Sequence, residues 1–320
     1  MTLRAVLLDE AQLIAEKADI DRLLQAFTQC ERFASSSPQE CVTRIRSAEV
    51  VITNGTPLTR EQLLQAQQLR LILIGGTGYE YVDYHAARDL GIAIYNCQEY
   101  GVEAIAQHTL ALILALSNSI PQFQRTVRSP LWQQAGTFCL LSEPIIELKQ
   151  QTLVIVGHGA IGQRVQLLAQ AFGMEVKLAE IPGRPTRPDR VPLDALLPIA
   201  DIVSLHCPLT EQTRGLFSAE RLGLMKPSAY LINTARGAIV DEEALAQALT
   251  EGRLAGAGID VFCDEPPAAS HPLLAQELLN KVIATPHVAW GSAQARQKMV
   301  HQMIENVSHF SSGNRLRRVI

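Results

Sequence analysis

Three residues of this 320-residue chain stand just past short apolar runs and carry complementary chemistry. His287 follows Pro286 at the end of "NKVIAT". Glu265 lies beyond Asp260 in "DVFCDEPP", ahead of two prolines that restrict the loop. Arg236 follows "SAYLIN" within "NTARG". An imidazole titrates near neutrality, so it can give a proton to an alkoxide forming from a carbonyl. A carboxylate beside that ring orients it and favours its charged form. A guanidinium is planar and permanently charged; it grips a carboxylate through two parallel hydrogen bonds and can polarise a neighbouring carbonyl. The set suits reduction of a 2-oxo acid by a hydride carrier, with the carrier doing the redox step and the protein supplying charge and orientation. Each residue alone has a plainer reading: a structural histidine, a solvated turn glutamate, an arginine that caps the next helix. Their shared position favours the chemical one, because ligands of open α/β sheets bind outside the carboxyl ends of the strands.

The carrier has its own signature. In "TLVIVGHGAIGQRV", Gly157, Gly159 and Gly162 form G-x-G-x-x-G after a strand-like run and ahead of an amphipathic helix, the context that gives this motif meaning. Gly157 permits the tight turn, Gly159 the approach of a pyrophosphate, and Gly162 the packing of helix on strand. The N–H groups of Ala160 and Ile161 then face the phosphates at the helix N-terminus. Glu180 closes the next apolar run, where a carboxylate accepts from the adenosine ribose hydroxyls and repels a 2′-phosphate. That predicts NAD. Arg184, Arg187 and Arg190 follow in "IPGRPTRPDR", so NADP stays the less favoured option.

These groups need a scaffold that brings many strand ends to one side. Apolar runs at 4–9, 48–55, 69–76 and 91–96 form a first series; runs at 152–157, 174–180, 200–207, 228–235, 254–262 and 280–285 form a second. Most are apolar almost throughout, as parallel strands covered on both faces are, and helical stretches separate them. The prediction is an α/β fold of two doubly wound parallel-sheet domains, Rossmann-like and flavodoxin-like, with the active-site cleft between them. Residues 1–100 with 292–320 form the substrate (catalytic) domain and 101–291 the NAD-binding Rossmann domain. The segment 102–120 reads as one long helix, apolar over most of its circumference and therefore buried on several sides. Residues 121–146, with Pro121, Pro130 and Pro144, read as an irregular arm, and 292–311 as a closing helix.

Bulk properties exclude other classes. The chain is 47% hydrophobic and 19% charged with a net charge of −4, and no basic cluster is dense enough to follow a phosphate backbone, so nucleic acid is not an expected partner. The run Thr109–Leu116 is far too short to span a bilayer and the apolar N-terminal run too short for a signal peptide, so a cytoplasmic protein without a membrane partner is expected. Six cysteines show no C-x-x-C spacing and no metal site is expected. His206 reads as a cofactor-wall or core ring, His108 as a satisfied structural or interface ring, and His158 as a loop residue turned away from the phosphates.

The stretches "VGHGAIG", "ADIVSLHCPLTEQTRGLF", "LMKPSAYLINTARGAIVDEEALAQAL", "GRLAGAGIDVFCDEPP" and "TPHVAW" together resemble the D-isomer-specific 2-hydroxyacid dehydrogenase family over essentially the whole chain. "TPHVAW", with Trp290, is most similar to the glycerate dehydrogenase (hydroxypyruvate reductase) branch. The resemblance implies that Arg236 binds and polarises the substrate, that Glu265 supports His287, and that His287 donates the proton. It implies that Cys207, Thr234, Ala235 and Asp260 line the cofactor site. "GGTGYEYVD" matches the family's substrate-carboxylate loop, which carries to Gly76, Thr77 and Gly78; successive N–H groups in a glycine-rich turn do make an anion nest. Trp290 either walls the substrate pocket or packs on a second subunit. A homodimer through the region 101–146 is implied as well. The family's second strand more often ends in Asp than in Glu, which bears on cofactor preference. The competing expectation is an NAD-sensing regulatory protein on the same fold, which would not need the Arg, Glu and His set.

Overall fold

The computed structural model describes residues 3–13 and 15–320. The chain divides into two compact units, residues 1–101 with 291–320 and residues 102–290.

The first unit is built on a five-stranded sheet. Its strands are β1 (Arg4–Leu7), β2 (Gln29–Arg32), β3 (Val50–Thr53), β4 (Leu71–Ile74) and β5 (Ala93–Tyr95), in the order β2-β1-β3-β4-β5. All pairings are parallel. β3 and β4 are wholly buried, which is why "VVIT" and "LILI" show no polar alternation. β2, "QCER", was not legible in the sequence: it is a polar edge strand, half-buried at best, with no apolar run to announce it. Helix Ala293–Ser312 packs on β4 and on helix Lys17–Leu24, with Met299, Val300 and Met303 fully buried.

The second unit carries a six-stranded sheet of β6 (Thr152–Val156), β7 (Glu175–Leu178), β8 (Ile202–Leu205), β9 (Tyr230–Asn233), β10 (Gly256–Ile259) and β11 (Val282–Ala284). The order is β11-β10-β9-β8-β6-β7, again parallel throughout. Successive side chains of a strand point to opposite faces, and here both faces are covered. Val154 and Val156 join one core with Leu245 and Leu249; Leu153 and Ile155 join another with Ile113, Val165 and Ala169. Each of these Val, Leu and Ile side chains contributes roughly 1.5–3 kcal/mol by leaving water. The edge strands differ from the expectation of double cover. β7 alternates and β11 is only partly buried.

The region 102–146 also departs from its sequence reading. The long helix ends at Ser117, the chain bends at Ser119 (φ 49°), and a second helix runs Ile120–Arg128, followed by Leu131–Ala135. The arm expected to be irregular is therefore partly helical. Pro121 sits in the first helical turn, where a missing N–H costs nothing, so it starts a helix inside the arm expected to be irregular. Among the described residues no single helix is long and apolar enough to cross a membrane.

Candidate active site

The glycine loop lies where strand order reverses, between β6 and its neighbours β7 and β8. Gly157 has φ 103°, and a Cβ there would lie 2.4 Å from the backbone of His206 and Cys207. Only glycine fits. A Cβ on Gly162 would lie 2.1 Å from the Gly157 carbonyl, so that glycine seats the helix against the strand. Gly159 has nothing within 4 Å of its missing Cβ. It faces open space at the start of helix Ala160–Ala171, and no side chain caps that helix. The first N–H groups, at Ala160 and Ile161, thus stand at an open, electropositive cradle, which fits a dinucleotide pyrophosphate. Glu180 sits half-buried past the end of β7, its N–H donating to the Val191 carbonyl at 2.9 Å. Arg184 and Arg187 are exposed, whereas the Arg190 side chain is only 9% exposed and points back to His158, 3.2 Å from Nη2 to Nδ1. His158 is further held by Gln166, so it is turned to its own unit's helix and loop.

The histidine loop follows β11. His287 has φ 53°, a left-handed conformation costing a non-glycine residue roughly 1–3 kcal/mol. The surroundings impose it. The His287 N–H donates to the Asp260 carbonyl at 2.8 Å. The Asp260 carboxylate, 1% exposed, accepts from Thr285 Oγ1 (2.5 Å), Val288 N–H (2.9 Å) and Ala289 N–H (2.9 Å). Asp260 therefore pins the whole turn, a duty beyond the wall position implied by resemblance. Thr285 Oγ1 also lies 3.0 Å from His108 Nε2, which ties the turn to the helix Val102–Ser117.

So fixed, His287 Nδ1 meets Glu265 Oε2 at 2.7 Å. Glu265 Oε1 accepts from the Phe262 N–H at 2.9 Å. Burial works to raise the Glu265 carboxyl, but the His287 and Phe262 hydrogen bonds and the charges of His287 and Arg236 outweigh it and hold it below the usual carboxylate range. The pair is thus an ionised carboxylate against an imidazole, with Nε2 left as the nitrogen that can exchange a proton.

Arg236 is presented by the turn after β9. Asn233, 1% exposed, accepts from the Ala235 N–H at 3.0 Å and donates to the Arg236 carbonyl at 2.9 Å. Arg236 Nη1 donates to the Ala235 carbonyl at 2.8 Å. Thr234 Oγ1 lies 3.1 Å from Thr109 Oγ1. Cys207 is buried beside the glycine loop, and burial pushes its thiol up to about 11, so it stays neutral. His206 is driven down to about 3 by desolvation and stays neutral, its Nε2 2.8 Å from Ser204 Oγ. Trp290 is half-buried three residues beyond His287.

In the first unit, the turn after β4 bears Gly76, Thr77 and Gly78. The Gly76 carbonyl accepts from the Cys97 N–H (2.8 Å) and the Thr77 carbonyl from Asn96 Nδ2 (2.7 Å). In a trans peptide the C=O and the next N–H point oppositely. The N–H groups of Thr77 and Gly78 therefore point away from the 96–97 segment, as an anion nest requires.

Residues 110–289 match the model of the D-isomer specific 2-hydroxyacid dehydrogenase NAD-binding domain. The chain is 38% identical over 277 residues to a glycerate dehydrogenase of Methylorubrum extorquens, covering 87% of each chain. The chain belongs to the D-isomer specific 2-hydroxyacid dehydrogenase family. It is an NAD-dependent dehydrogenase. A hydroxypyruvate reductase of Blautia hydrogenotrophica is 32% identical over 298 residues, 91% of this chain and 92% of that one. The fold matches D-lactate dehydrogenase from Aquifex aeolicus, solved with NAD and lactic acid, at a TM-score of 0.84 and 28% identity, over 97% and 96% of the two chains.

Within this dehydrogenase fold two positioning residues escaped the sequence reading. Asn233 carried a usable signal, an Asn at a strand end whose side chain bonds backbone two residues on. Thr285 carried none, since its bond to His108, the ring expected to be satisfied structurally or at an interface, joins residues far apart in sequence.

Proposed function

We propose that the chain reduces a small 2-oxo acid of the hydroxypyruvate or glyoxylate type to the D-2-hydroxy acid, with His287 as proton donor. The 2.7 Å bond between His287 Nδ1 and Glu265 carries this reading. It orients the ring and leaves Nε2 to protonate the nascent alkoxide. Arg236 binds the substrate and polarises its carbonyl, and the backbone N–H groups of Gly76, Thr77 and Gly78 take the substrate carboxylate. Trp290 bounds the space beside His287. When bound, the nicotinamide supplies the hydride. Gly157, Gly159, Gly162, Ala160 and Ile161 hold the pyrophosphate. Glu180 accepts from the ribose hydroxyls and disfavours a 2′-phosphate, so NADH is preferred over NADPH. Cys207, Thr234, Ala235 and Asp260 form the wall. The names of the relatives, glycerate dehydrogenase and hydroxypyruvate reductase, support this substrate class.

The reading includes a homodimer through 101–146. Ile120, Val127, Leu131, Phe138, Leu141 and Ile145 are all more than half exposed, Phe138 at 93%, an apolar surface that a partner would cover. It also includes a cytoplasmic setting, in keeping with six free cysteines.

The test follows absorbance at 340 nm with NADH or NADPH against hydroxypyruvate, glyoxylate, pyruvate and 2-ketogluconate. NADH oxidation with hydroxypyruvate or glyoxylate is expected, and His287→Ala lowers turnover by about 10²–10⁴-fold while NADH still binds. Normal turnover in that variant removes His287 as donor. NADH binding without turnover on any acid leaves a nicotinamide-binding regulator.

A further inference from the structure

The loop that carries Glu265 is gripped from behind by residues the reaction does not touch. Glu242, the first residue of helix Glu242–Thr250, has its side chain 12% exposed. Its Oε1 accepts from the Cys263 N–H at 3.0 Å and its Oε2 meets His271 Nε2 at 3.2 Å. The Leu273 N–H donates to His271 Nδ1 at 3.3 Å, so Nε2 carries the ring's proton and donates to Glu242. The imidazole also stands edge-on to the Phe262 ring, 5.2 Å between centroids at 84°.

What these residues hold is the Phe262–Cys263 peptide, and two parts of the catalytic set rest on the Phe262 backbone on either side of its Cα. The N–H of Phe262, in the adjoining Val261–Phe262 peptide, orients Glu265. The turn that carries Arg236 is seated on the other side: a Cβ on Gly237 would lie 2.0 Å from the Phe262 carbonyl carbon and 2.3 Å from the Cys263 nitrogen. A shift of that peptide would move the partner of His287 and the seat of Arg236 together.

Building on the reading of Arg236, Glu265 and His287 as the catalytic set, we propose that Glu242 and His271 form a positioning pair that sets their mutual geometry through the Phe262–Cys263 peptide. The charged groups facing Glu265 are His287 and Arg236; those around Cys263 are Glu242, Asp264 and Arg214, with Asp260 pinning the histidine loop. A carboxylate at a helix start also favours the helix itself. Glu243, exposed at the next position, carries that same helix-end charge without gripping the loop, and so separates the two roles.

The experiment compares Glu242→Ala, Glu242→Gln, His271→Gln and Glu243→Ala in the full-length enzyme with NADH and the best 2-oxo acid from the panel. Glu242→Ala is expected to lower kcat about tenfold to a hundredfold, with the Kd for NADH changed less than about threefold. The alkaline limb of its kcat/KM profile moves as well, because a displaced Glu265 no longer holds the donor ring in place. Glu242→Gln keeps an acceptor for the Cys263 N–H and restores the limb. His271→Gln falls between the two, and Glu243→Ala matches the parent. A Glu242→Ala enzyme that merely melts earlier, with its pH profile unmoved, overturns the proposal. If His287→Ala turns over normally the underlying catalytic reading fails, whereas loss of turnover there with an unmoved Glu242→Ala profile refutes only the positioning pair.

Discussion

Both sheets contain the same topological device with opposite outcomes. In each, the chain order reverses beside the first strand, at β1 with β3 in one unit and at β6 with β8 in the other. Such a switch point opens a crevice where ligands bind. After β6 the crevice is kept open by the glycine loop, with nothing within 4 Å of the missing Cβ of Gly159. After β1 it is stoppered by Asp9, fully buried, whose carboxylate accepts from Thr53 Oγ1, the N–H groups of Asn54, Gly55 and Thr56, and Thr56 Oγ1 at 2.8–3.1 Å. A neutral side chain there would strand several buried donors at a cost of roughly 1–3 kcal/mol each. The topology supplies two candidate sites, and one aspartate closes one of them. The first unit's turn proposed to take the substrate carboxylate then falls after β4.

Variants can break or sharpen that contrast. The largest effect is expected from Gly157→Val, which meets the His206–Cys207 backbone and a left-handed φ at once. It should leave little folded protein, read as loss of the cooperative melt by circular dichroism. Asp9→Ala comes next, losing about 3 kcal/mol or more of unfolding free energy in urea. The Kd for NADH at low temperature should stay within about twofold, since the open crevice is untouched. Weakened NADH binding there would show that the first switch point is no mere stopper. Gly159→Val leaves the melting temperature of the unliganded protein within about 2 °C, yet raises the Kd for NADH at least about tenfold, because only a ligand occupies that space. A variant that binds NADH normally sinks the cradle.

The smallest effect concerns Glu265. Its folded pKa lies below the unfolded one, so its ionised form contributes stability above the unfolded value and loses it as pH falls through the folded one. The side chain is about a third exposed, which keeps the contribution modest. The melting-temperature gap between the parent and Glu265→Gln should therefore be present at neutral pH and close below roughly pH 4. A gap that persists unchanged at pH 3 would mean that Glu265 acts by packing alone.

Much of this was legible because the signals are local. Central strands buried on both faces are apolar almost throughout, so "VVIT", "LILI" and "IVSL" declared themselves. Gly157 and Gly162 are fixed by a turn and a packing contact within six residues. Arg236, Glu265 and His287 were findable because parallel strands share a polarity, so every residue just past an apolar run lies on the same side. The polar edge strand β2 was missed because it has no apolar pattern, and the helix Ile120–Arg128, despite Ile120, Phe123 and Val127 at helical spacing, because proline serves both to start and to stop helices.

The amino-acid order by itself thus determined the central strands and the glycine loop, and singled out the groups proposed to act on a carbonyl, since each is marked by burial or backbone geometry over a few residues. Only the tertiary structure decided how those groups are held. Asp260 pins the turn after β11 and forces His287 into a left-handed backbone, and Glu242 with His271 grips the peptide behind Glu265. Those contacts join residues about twenty to thirty positions apart or more, and a buried carboxylate is satisfied by whichever donors the packed fold brings to it.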